Sequence, residues 1–76
     1  MKVFIVMSGT QNEYSIIENV YFFKDDAKSR CEELASLHIF DFEDHSTPDH
    51  IIWRCRDHFI HAIEREVEVW RNNVRN

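Results

Sequence analysis

Seven side chains in this sequence have the types that ligate metals or act as nucleophiles: His38, His45, His50, His58, His61, Cys31 and Cys55. His50, Cys55 and His58, completed by His45 or Asp44, make a four-ligand zinc set on paper. No Cys-x-x-Cys pair frames that set, as the familiar zinc modules require. His58 and His61 stand three apart, a spacing that suits one face of a helix and not neighbouring strand positions. Polar histidines exposed around a helix account for the same residues, so no metal ligand is expected. Cys55 with His58, or Cys31 with His38, has the composition of a nucleophile and its base. Neither pair comes with a recognisable orienting group or oxyanion hole. The plainer reading is two unreactive thiols, and no catalytic residue and no cofactor are expected.

The acids and tryptophans point to contact rather than catalysis. Asp41, Glu43, Asp44 and Asp49 cluster in one segment, and Glu64, Glu66 and Glu68 alternate along another. Such rows can imitate a line of phosphates for a basic partner. They can equally solvate an edge strand and protect it from aggregation. Trp53 and Trp70 flank the terminal segment and stand as interface anchors or as partly buried members of a small core; both readings remain open. The expected partner-binding set is therefore Trp53, Trp70, Glu64, Glu66, Glu68, Asp41, Glu43 and Asp44.

Composition limits what can position these groups. At 76 residues the chain is one domain, and with 43% hydrophobic and 13% aromatic residues it is too apolar to be disordered. A chain this short buries only about 60% of its unfolded surface and commonly needs a disulfide, a metal or a partner. Two cysteines make no disulfide framework, so a partner chain is the natural supplement. The net charge is -5, and Arg54, Arg56, Arg65, Arg71 and Arg75 are interleaved with acids. Without a clustered basic face, direct nucleic-acid binding is not expected. A protein partner suits an acidic surface better, including one with a basic groove. No run approaches membrane-spanning length. Met1–Met7 is too short for a secretory signal and Ser8-Gly9 follows at once, so the expectation is a cytoplasmic protein with reduced thiols.

The elements are organised around Tyr14–Leu37, an extended segment running into a helix. Lys2–Met7 reads as a strand, with Val3, Ile5 and Met7 on one face and Phe4 and Val6 on the other. Ser8–Glu13 reads as a turn, in which Gly9 supplies a positive φ. Tyr14 to about Phe22 is the second strand. Lys24–Leu37 carries Ala27, Cys31, Leu34 and Ala35 at helical spacing, with Asp25 and Asp26 in its first turn. His38–Ser46 reads as a loop burying Ile39, Phe40 or Phe42. Thr47-Pro48-Asp49 has the form of a helix start, with Thr as N-cap and Pro at the first position. Ile51, Ile52, Cys55 and Phe59 would be that helix's apolar stripe. Ile63–Trp70 supports two readings, an alternating strand or the end of one helix from Pro48; alternation favours the strand. Residues 71–76 read as a frayed tail. Residues 1–76 thus form a single small α+β domain. It has a three-stranded antiparallel sheet of order 2-1-3 in a β-β-α-(α)-β topology, with one main helix on one face. The other face is then covered by the second helix or, with slightly more weight, by another copy in a homodimer.

Val3-Phe4-Ile5-Val6-Met7-Ser8-Gly9, the Tyr14-Ser15-Ile16 strand, Val20-Tyr21 with Ala27, and the Glu-rich Ile63–Val69 segment resemble a set of small uncharacterised phage and bacterial β-β-α-β proteins. The resemblance spans about half the chain; His38–His61 departs from it, being longer. It implies the β-β-α-β order and a phage or mobile-element setting, in the host cytoplasm. It assigns no activity and transfers no functional residue. Together these features describe a small acidic, non-enzymatic interaction protein that binds and modulates or inhibits a host defence protein. The alternatives are a small metal- or thiol-dependent enzyme and a homodimeric regulatory or structural module.

Overall fold

Short runs of β-branched and aromatic residues draw about half of the described residues into extended structure. The computed structural model describes residues 1–10, 15–37 and 40–67. Among them lie β1 (Lys2–Thr10), β2 (Ile16–Tyr21), α1 (Lys24–Leu37), β3 (Glu43–Asp44), β4 (Ile51–Cys55) and β5 (His58–Glu66). They build one five-stranded sheet of order β2-β1-β5-β4-β3, antiparallel throughout, with the helix on one face. The class is α+β, but the expected three-stranded sheet of order 2-1-3 is overturned: β3 and β4 add two strands.

The added strands come from the segment read as a second helix. Thr47 and His50 exchange backbone hydrogen bonds of 2.8 and 3.2 Å across Pro48-Asp49. The Thr47 hydroxyl accepts a further bond from the His50 N–H at 3.2 Å. Thr-Pro-Asp therefore closes a β-hairpin. The fixed φ of proline suits the first corner of a turn as well as the first turn of a helix. Ile51–Cys55 then leaves the turn extended, and Glu43–Asp44, expected in a loop, pairs with it.

A second hidden hairpin joins β4 to β5 through Arg56-Asp57. Arg56 has φ 56°, the left-handed conformation that two-residue hairpin loops demand and that glycine or asparagine usually supplies. With arginine there, nothing interrupts the helical spacing of Ile52, Cys55, Phe59 and Ile63, although the chain reverses in their midst. Gly9 also departs from its expected role. It lies inside β1, opposite Phe59, with an extended φ of 159°. The expected features at Tyr14, His38, Ile39, Glu68, Val69, Trp70 and the tail from 71 lie outside the described residues.

The helix forms where its stripe requires. Ala27, Cys31 and Leu34 recur at i, i+4 and i+7 and are buried, while Asp25 and Asp26 occupy the first turn. They pack on Val6, Ile51, Ile60 and Ala62 of the sheet, flanked by Phe4, Tyr21, Ala35, Phe42 and Trp53. Burying a valine or isoleucine fully contributes about 1.5–3 kcal/mol, and among the described residues the largest side chains wholly removed from solvent are Ile60, Val6 and Cys31. This core is thin.

Candidate functional site

Pleating sends successive side chains to opposite faces, and cross-strand partners share a face. Phe4, Val6, Tyr21, Ile51, Trp53, Ile60 and Ala62 belong to the helix-covered core. Their sequence neighbours therefore line the other side. Register aligns them in rows: Val20, Ile5 and Ile63; then Ile17, Met7, His61 and Ile52; then Gly9, Phe59 and Arg54. The result is a contiguous apolar sheet face with no helix over it among the described residues. Its only charged strand positions lie at its ends, Arg65 opposite Val3 at one and Arg54 opposite Glu43 at the other.

A bulge in β2 extends this face. Val6 pairs with Asn19 but Met7 with Ile17, so Glu18 is an extra residue. Ile17 and Val20, three apart, consequently fall on the same side. The Ser8 hydroxyl donates to the Glu18 carboxylate at 2.7 Å, and the Arg30 guanidinium donates to the Asn19 amide oxygen at 2.7 Å, which holds the bulge in place. The two sheet edges differ. β3 is two residues long and both are acidic, which blunts it. β2 is six residues long, and Ile16, Ile17 and Val20 are 56–60% exposed, followed by Phe22 at 64% and Phe23 at 70%.

Towards the Arg54 end of the apolar face, Ile52, Arg54, Phe59 and His61 line a shallow depression of about 210 Å³. The Phe59 and His61 rings meet edge-on with centroids 4.7 Å apart. Burial pushes the His61 pKa below its ordinary value, favouring the neutral imidazole.

The acids expected to act together are divided. Glu64 pairs with Lys2 at 3.1 Å and Glu66 with the N-terminal ammonium at 2.6 Å, at one end of the sheet. Asp41 and Glu43 sit at the other end, around a polar hollow shared with His45, Arg54, Cys55 and Arg56. Asp44 accepts from the Ser46 N–H at 2.9 Å. No single acidic row joins the two groups among the described residues. Trp53 is partly buried against the helix core, and Trp70 and Glu68 lie outside the described residues.

The histidines and cysteines are likewise dispersed. His45 meets Glu43 at 3.2 Å, His50 closes the β3–β4 turn, and His58 stacks on Phe40 with centroids 4.2 Å apart. Cys55 and His58 are cross-strand neighbours at the β4–β5 turn. Cys31 lies wholly buried, and desolvation pushes its thiol up to about 11, so it stays protonated at neutral pH.

Comparison with protein-family models, with curated proteins and with solved structures finds no match. The residues most suited to contact were only partly anticipated. Either Val3, Ile5 and Met7 or Phe4 and Val6 were expected to form a face needing cover; the helix covers Phe4 and Val6. Ile52, Phe59 and His61 were assigned to a helix. Neither Ile51–Cys55 nor His58–Glu66 alternates with period two; the β-branched and aromatic run Ile51-Ile52-Trp53 was the available strand signal.

Proposed function

We propose that this chain is a small non-enzymatic protein of phage or mobile-element setting that binds and modulates a host protein, most concretely by inhibiting a defence component. The observation that carries this reading is the β2 edge. Ile16, Ile17, Val20, Phe22 and Phe23 are all more than half exposed along one unprotected strand and the turn after it. An edge strand offers a row of unpaired backbone groups to an incoming strand, while alternate side chains give specificity. The acidic balance adds long-range attraction towards a basic partner. The test is a pull-down from host lysate with the wild type and with an Ile16→Lys, Phe23→Ser variant, both positions lying off the helix-free face. The wild type captures a specific protein and the variant loses it. Capture of nothing specific, or the same protein in equal amount by both, counts against this function.

A further inference from the structure

We infer that the helix-free face of the sheet is the contact through which two copies of this chain associate, their sheets stacked face to face. This face shares Ile17 and Val20 with the β2 edge assigned to a foreign partner, but its centre, Ile5, Met7, Phe59 and Ile63, lies off that edge, and the inference does not depend on that assignment.

The first argument is shape and extent. Strands spaced about 4.8 Å apart, with five to nine residues rising about 3.3 Å each, give the face a footprint of roughly 500 Å². Two copies together then remove about 1,000 Å² or more from water, the scale at which association becomes specific. A loop or a short peptide would cover only part of such an area. A twisted pleated surface is matched by a second one, and two sheets pack at about 10 Å with strands inclined by about 30°.

The second argument is the thinness of the helix-side core. Among the described residues it is built of Val6, Ile51, Ile60, Ala62, Ala27, Cys31 and Leu34. Stacking would bury Ile5, Met7, Ile52, Phe59 and Ile63 as a second core, which is how a chain of this size gains stability that one core does not give.

The third argument is charge. A chain of net charge -5 repels its own copies, yet the described carboxylates other than Glu43 lie off this face. The interior rows hold none, and His61 among them is held towards its neutral form. The contact therefore forms without burying an unpaired acid.

The experiment is sedimentation equilibrium on the full chain. At about 100 μM, well above the Kd of a micromolar interface, the wild type runs at twice its 9.2 kDa mass. Ile63→Glu and Phe59→Glu, checked by circular dichroism, weaken the dimer at least tenfold, whereas Ile16→Lys on the strand edge leaves it unchanged. Hydroxyl-radical footprinting reads the wild type alone and serves if a face variant unfolds. Met7 and Phe59 are oxidised more slowly at high than at low concentration, while Phe22 and Phe23 are oxidised equally. A 9.2 kDa species at every concentration overturns the inference. So does a dimer that survives the folded face variants, or one lost only with Ile16→Lys, or equal oxidation of Met7 and Phe59 at both concentrations.

Discussion

Arg56 carries a left-handed backbone that glycine or asparagine usually supplies. A left-handed conformation costs an L-residue about 1–2 kcal/mol, and glycine returns part of that gain as lost chain entropy. Arg56→Gly is expected to raise stability by about 0.5–1 kcal/mol, read as a higher urea midpoint. The two thiols separate by burial. Cys31 has no exposed surface and a raised pKa, so in the native protein iodoacetamide modifies Cys55 first and reaches Cys31 only on unfolding; native labelling of Cys31 at an equal rate would refute its burial. His61 sets a pH dependence. Its folded pKa lies below the ordinary 6.5 because burial disfavours the imidazolium. The groups facing it are Met7, Ile52 and Phe59, with the cation of Arg54 across the same depression. Well above 6.5 both folded and unfolded chains are neutral there and the group contributes no pH slope. As pH falls below 6.5 the unfolded chain takes up the proton first, so stability declines until the folded pKa is passed. Denaturant midpoints measured between about pH 7.5 and pH 5 should fall, and His61→Phe should flatten that slope. Asp44, held down by the Ser46 hydrogen bond, and Glu66, held down by the N-terminal ammonium, act only in a lower window, below their ordinary 3.8 and 4.5.

Elements here are decided at their turns. The β3–β4 hairpin depends on Thr47 for one side-chain hydrogen bond on the surface, so Thr47→Ala is expected to cost no more than about 1 kcal/mol. The helix depends instead on what it covers. Ile60 is fully buried beneath it, and Ile60→Ala removes about 2–5 kcal/mol by lost transfer energy and an unfilled cavity. That is a large share of the roughly 4–11 kcal/mol expected of 76 residues. Loss of the cooperative thermal transition would be the outcome; a near-neutral effect would contradict the packing described. Both edges follow from the same logic of strand length and charge: β3 is short and acidic, whereas β2 is long and apolar with only the Glu18 bulge to twist it.

At the scale of the whole molecule, one helix serves a sheet that has two apolar faces. The helix closes its side mainly with Ala27, Cys31 and Leu34, and the opposite side carries Ile5, Met7, Ile52, Phe59 and Ile63. Covering that second face ties folding to association, and the stability of such a dimer rises with protein concentration. The thermal midpoint should therefore increase on going from low to high micromolar protein, and a midpoint independent of concentration would leave the monomer self-sufficient.

The Lys24–Leu37 helix was legible in the residue order because its stripe is local: Ala27, Cys31 and Leu34 meet one surface whatever that surface is. The first strand was legible as a short, continuously apolar run from Val3 to Met7, which reads as a strand with both faces apolar. The region from Thr47 to Ile63 was not legible. Its apolar spacing satisfies a period of 3.6 while the β-branched and aromatic run Ile51-Ile52-Trp53 favours a strand, and its turns carry proline-aspartate and arginine-aspartate in place of an asparagine-glycine signal. Tertiary structure settled that choice, because extended β4 and β5 place Ile51, Ile60 and Ala62 under the helix, where their burial outweighs local preference. It also settled which apolar residues remain uncovered, since the face a strand residue takes depends on register, and register is set by pairing between segments far apart in the chain.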